Sequence, residues 1–181
     1  MDRKYKVVGQ PCRKKDSMQL LLGKPVYTSD VVPGGALVVR LLRSPHANAM
    51  VKSVDVSLAR KVPGVVDVYT WQDVPATRFA IAGQTYPEPS PYDRLILDRH
   101  VRFVGDPVAI IAAENDKAAR RAMRLLKVEY EVLPAVTDPH AALDNPVLVH
   151  PEEDWEPPCP VGGDNKRNLV ASGEEKDGDV E

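Results

Sequence analysis

Cysteine is nearly absent: Cys12 and Cys159 are the only thiols in 181 residues, and they lie near opposite ends of the chain. Two such positions exclude a disulfide framework, and neither has the close Cys or His neighbours of a zinc or iron–sulfur motif. Aromatic residues make up 6%, with two Phe, and Lys and Arg are scattered rather than gathered into a stripe. Nucleic-acid binding is therefore not expected. No apolar run approaches the roughly 20 residues of a membrane span. The opening MDRKYKVVGQ is polar and basic without an apolar signal core, so the expectation is a cytoplasmic protein with no membrane partner. Also missing are a P-loop, a Gly-x-Gly-x-x-Gly between strand and helix, His-Glu-x-x-His and the Gly-x-Ser-x-Gly elbow.

What remains suits one globular domain, with 43% hydrophobic and 28% charged residues. The net charge of −2 hides an asymmetry. From residue 150 onward ten acidic residues stand against three basic ones, which leaves 21 basic and 16 acidic before it.

Periodicity predicts the elements. Residues 1–33 read as an irregular lead-in broken by Gly23, Pro25 and Pro33, with a short apolar turn at Met18 to Leu22. ALVVRLLR, 36–43, is apolar on both faces apart from Arg40 and Arg43, the pattern of a strand covered on both sides. MVKSVDVS, 50–57, alternates as a half-buried strand, and SPHANA between the two reads as a bend joining neighbours. Ser57 is placed to cap a helical turn reaching Lys61, and VVDVYTW, 65–71, is a third strand. Periodicity is lost from Asp73 to Asp98, a loop long enough to suggest function or a missing partner. VAIIAA, 108–113, reads as a central strand. Asn115-Asp116 starts a helix over 116–127, and KVEYEVLP alternates as a strand. This strand–helix–strand order predicts a crossover with parallel strands. TDPHAALD, with Asp138 as cap and Pro139 first, predicts a short closing helix. From Asn145 the chain is rich in Pro, Gly and acid and reads as an extended connector.

No residue qualifies as catalytic, cofactor-binding or metal-ligating. Ser44 and His46 are two apart, so in extended backbone they point to opposite sides, and Pro45 removes an amide. His46, His100, His140 and His150 share no ligand spacing. Arg120, Arg121 and Arg124 read as a solvated helix face rather than an anion site, and Glu152-Glu153 as solvated carboxylates in the tail.

The series LGKPVYTSD, RLLRSPHANAMVKSVDVS, VPGVVDVYTWQDVP and HVRFVGDPVAIIAAENDKAARRAMRLLKVEYEVLPAVTDPHAALD closely resembles the N-terminal α/β hammerhead domain of the molybdenum-containing large subunit of the xanthine dehydrogenase and aldehyde oxidase family. The likeness runs from about Gly9 to Glu181. It implies an α+β fold, a mixed sheet with a strand–helix–strand crossover and a few short helices. The domain would span 1–144 and an extended segment 145–181 would lead to molybdopterin-binding domains, the closing GDVE marking a cut boundary. For the parent enzyme the resemblance implies hydroxylation of an aldehyde or aromatic heterocycle with oxygen from water. Its cofactors would be molybdopterin, with [2Fe–2S] clusters and FAD on other domains or subunits, and these would be the partners. No family site residue maps onto this chain: each iron–sulfur cluster takes its own set of cysteines, and the chain has two in all. The expected role is structural and packing, with no activity alone. The other reading is a free-standing adaptor that reuses the fold.

Overall fold

A computed structural model describes residues 5–81, 92–155 and 162–178. The chain divides into two compact units, Met1–Ala36 and Leu37–Glu181. The first holds helix α1, Ser17–Leu21, and a 3-10 turn, Thr28–Asp30, closed by the Asp30 carboxylate on the Tyr27 amide at 2.9 Å. Helix α1 buries none of its residues, and Leu21 is 82% exposed.

The second unit carries β1 (Val38–Arg43), β2 (Ala49–Asp55), β3 (Val65–Tyr69), β4 (His100–Val101), β5 (Pro107–Ala113), α2 (Asp116–Leu125) and β6 (Lys127–Val132). The apolar run in β5 takes the centre of one sheet, with β1 and β3 antiparallel on either side. Helix α2 covers one face of it. Ala118, Ala119 and Ala122 are buried there against Val68, Ile111 and Ala113, with Leu42 and Val65 packed around them. Their short side chains bring the helix close to the strands. The helix starts at Asn115, whose side chain accepts from the Ala118 amide at 2.9 Å. Gly64 has φ +84°, and a Cβ there would stand 3.3 Å from Ala118 Cβ, so the Pro63-Gly64 turn needs both the conformation and the size of glycine.

The second sheet, in order β4–β2–β6, is also antiparallel. Ala49, Val51 and Val101 form its small core together with Val108 of β5 from the first sheet, with Val54, Trp71, Val128 and Tyr130 packed against them. The outward residues of β2 and β6 meet as charges, Lys52 to Glu131 at 3.6 Å.

The α+β class stands, but the mixed sheet with a parallel crossover does not. β5 and β6, on either side of α2, belong to different antiparallel sheets. The connection 114–126 is long enough for a parallel crossover, but β6 pairs with β2 in the other sheet rather than returning beside β5. The strict alternation of KVEYEV also marks a strand with one wet face, an antiparallel trait. The SPHANA segment links strands of two different sheets rather than neighbours in one. Ser57 does not cap the turn after β2. Its amide donates to the Asp55 carboxylate at 2.9 Å in an Asx turn, and the 3-10 turn starts one residue later, with Leu58 at its N-cap and no side-chain cap. TDPHAALD forms only a 3-10 turn, Pro139–Ala141, held by Asp138 on the His140 amide at 2.9 Å. In the 73–98 loop a bridge pairs Phe79 with Arg94. Residues 82–91, Cys159 and the Asp179 to Glu181 end lie outside the described residues.

Candidate functional site

The Ser44–His46 pair is a local turn. Ser44 is 2% exposed, and its hydroxyl accepts from the His46 amide and donates to the His46 carbonyl, both at 3.0 Å. The His46 ring turns to Tyr130, edge on at 4.8 Å between centroids. With its hydroxyl engaged by backbone and the imidazole stacked elsewhere, Ser44 has no base. The helix arginines Arg120, Arg121 and Arg124 are exposed, and Arg120 pairs with Asp116 at 2.6 Å. Cys12 is an exposed free thiol, and His140 is exposed on its turn.

The polar residues that do converge lie beside β4, around Arg102. One of its terminal nitrogens donates to Asp98 Oδ2 at 2.6 Å and to the His100 carbonyl at 2.9 Å. Its Nε donates to the Val149 carbonyl at 3.1 Å, and its other terminal nitrogen pairs with Glu152. The backbone amide of Arg102 donates to Asp106 Oδ2 at 2.9 Å, and Arg94 faces the same carboxylate at 3.7 Å. His150 sits between Asp93, 3.7 Å from Nε2, and Glu152, 3.4 Å from Nδ1. Glu152, expected to be solvated, is thus folded against the body, while Glu153 is exposed.

Burial dominates the electrostatics here. It raises the Asp106 carboxyl above its ordinary value, against the pull of the Arg102 amide and of Arg94. Burial first, then the Arg102 guanidinium, pushes the His150 imidazole down to about 4, more than offsetting the Asp93 carboxylate. His100 moves down for the same two reasons, and its Nε2 meets Asn48 Oδ1 at 2.7 Å. The imidazole of His150 is neutral at pH 7.

Two asparagines complete the arrangement. Asn165 donates to the His150 and Glu152 carbonyls at 2.8 and 2.9 Å. Asn168, in the left-handed region at φ 55°, donates to Ala142 and Val147 carbonyls at 3.0 and 2.9 Å and accepts from the Val149 amide at 2.9 Å. Arg167 grips Asp144 with two bonds, 2.6 and 2.9 Å. The result is a strap: residues 147–155, which composition reads as connector, are tied on one side to Arg102 and on the other to the 165–168 turn. Between strap and turn lies a cleft of about 350 Å³, lined by Asp93, Val149, Trp155, Leu169 and Val170 among others.

This chemistry suits holding rather than reacting. Every carboxylate of the cluster faces a guanidinium or the neutral imidazole, and the described donors of Arg102 are spent on fixed acceptors. Among the described residues no three His, Cys, Asp or Glu side chains converge as a metal would require. Neither Arg102 nor Asn168 carried a sequence signal. Their farthest partners are 50 and 26 residues away.

Residues 22–134 match the model of the aldehyde oxidase and xanthine dehydrogenase α/β hammerhead domain. The chain belongs to that family. Like this hammerhead, the probable hypoxanthine oxidase XdhD of Escherichia coli O157:H7 is 41% identical over 147 residues, 81% of this chain and 15% of that protein. The xanthine dehydrogenase molybdenum-binding subunit of the same organism is 39% identical over 132 residues, 71% of this chain and 18% of that one. Quinoline 2-oxidoreductase of Pseudomonas putida 86 superimposes with a TM-score of 0.67 at 37% identity, over 77% of this hammerhead chain and 18% of that one. The chain thus spans less than a fifth of the length of these relatives.

Proposed function

We propose that this hammerhead serves as the packing module of a molybdopterin-dependent hydroxylase that acts on a purine, an aldehyde or another heterocycle. The observation that carries this is the family match over 22–134, in a chain that spans 15–18% of its relatives. The cofactor would supply oxidative hydroxylation. The donor set here does not fit it, since the clustered carboxylates are matched by Arg102 and Arg94. No step is therefore assigned to these residues, and molybdopterin, iron–sulfur clusters and FAD are proposed to lie on other domains or subunits. What this chain's residues do is hold shape: α2 seals one sheet, and the Arg102 strap fixes the 147–155 segment against the other. The reading places the protein in the cytoplasm. Among the described residues no helix is long and apolar enough to cross a membrane.

The test is expression of the gene's whole reading frame beside the 181-residue chain, with molybdenum measured by mass spectrometry and hydroxylation followed on purine and aldehyde substrates. The expected result is metal and turnover only when the molybdopterin-binding polypeptide is present. Turnover by the 181-residue chain alone would overturn the proposal.

A further inference from the structure

The β1–β5–β3 sheet has one edge closed and one open. At β3 the outward groups of Val68 are taken by side chains: Arg60 Nη2 donates to its carbonyl at 2.8 Å, and Asp67 Oδ1 accepts from its amide at 2.7 Å. Such guards prevent strand addition. β1 has none. Among the described residues no strand pairs with its outer edge. Its two arginines turn away, Arg40 to Asp116 on α2 at 2.6 Å and Arg43 to the Gly105 carbonyl at 2.8 Å.

The face beside that edge is apolar. Leu42, Val68, Ile111 and Ala113 point to α2. Alternation and register therefore put Val39, Leu41, Tyr69, Ile110 and Ala112 on the opposite face, with Val108 at the end beside the second sheet and Asp67, paired with Arg60, at the β3 edge. Val39 is 57% exposed and Tyr69 37%. A strand apolar on both sides is the pattern of one covered on both. On the face opposite α2 the second sheet covers one end, where Val108 and Trp71 pack with Ala49, Val51 and Val101, and the end that carries Val39 is left exposed.

We propose that the open edge of β1 and this face are the docking surface for the remainder of the same polypeptide, the part that the longer relatives carry outside their hammerheads. An extended segment of it adds as a strand beside β1, main chain to main chain, and sets apolar side chains over Val39, Leu41 and Tyr69. This rests on the reading under Proposed function. The choice of occupant follows from size. A second copy meeting face to face would offer three short strands, roughly 300 Å² by strand spacing, against the roughly 800 Å² per partner of a stable interface. The longer relatives, in contrast, have more than four-fifths of their length outside the matched region.

The test is amide hydrogen exchange, resolved by peptide, on the 181-residue chain and on the whole polypeptide from the same gene. The expected result is exchange at residues 38–43 slower by about tenfold or more in the whole polypeptide. V39K in the whole polypeptide should restore fast exchange there while α2 and β5 stay protected, and V132K on β6, at a residue 61% exposed, should change nothing. Fast exchange at 38–43 in a folded, molybdenum-loaded polypeptide would overturn the docking surface and leave the family function standing. Concentration-dependent protection with a doubled mass in the 181-residue chain would make a second copy the occupant and overturn it equally. Failure of any molybdopterin-binding polypeptide to accompany the chain would bring down both readings together.

Discussion

The two sheets of the second unit are held in opposite ways. Beside the β1–β5–β3 sheet stands a helix that follows β5 by two residues and starts on its own cap, and the core between them is wholly apolar, drawn from Ala59, Val62 and Val68 as well as from β5 and the helix. The β4–β2–β6 sheet has a core of four buried residues, and beside it Arg102 gathers Asp98, Glu152 and the Val149 carbonyl from up to 50 residues away. Burying apolar surface stabilises without direction, whereas a part-buried guanidinium stabilises only when its acceptors are all in place. The first core should therefore fail by degrees and the second by release of a whole segment.

Truncating the first core is the largest break. I111A, at a fully buried position, should cost about 2–5 kcal/mol in urea unfolding. R102M keeps the alkyl bulk but strands the carboxylates of Asp98 and Glu152, and should cost about 1–3 kcal/mol. Its distinguishing mark is limited proteolysis: cleavage in 147–155 should rise sharply, with the α2 side still resistant. If R102M is as protease-resistant as wild type, the strap is not what holds the segment.

Acid should act through the same side of the molecule. His150 is depressed from 6.5 to about 4 in the fold, so between those values the unfolded chain binds the extra proton, and stability falls as pH falls from about 6.5 towards 4. Asp106, raised by burial, works in the other direction above its ordinary value, keeping a proton that the unfolded chain has lost. Urea midpoints for H150Q should accordingly be flatter over that window than those of the wild type. An unchanged slope would remove His150 from the acid response.

Local effects come last. N115A removes the cap of α2 and should cost about 1 kcal/mol. R120A breaks an exposed pair with Asp116 and should cost no more than about 0.5 kcal/mol, a loss that salt erases. A loss above that would mean the helix charges are more than a solvated face.

Much of the first core was legible in the chain because its signals are short-range. VAIIAA, Asn115-Asp116 and the alanine stripe of DKAARRAMRLLK each act over a few residues, and strand and helix bounds came out within a residue or two of the structure. The strap was not. Nothing in HVRFVGDP distinguishes Arg102 from the exposed arginines of α2, and Glu152 reads as one more acid in an acidic tail. β4 is only two residues long, too short for a period. Ser57 reads as a cap from its type alone, but the turn starts at Leu58, one residue on, and Asp55 ties the Ser57 amide instead, a placement that cap propensity does not rank.

By itself the amino-acid sequence determined the elements and the family, since hydrophobic period, caps and turn residues act locally and motif order survives as text. Which strands share a sheet, which edge stays open and which arginine is buried were decided only in three dimensions. Hydrogen bonds between strands, and a guanidinium's choice among distant acceptors, depend on where the chain returns, and no window of a dozen residues contains that.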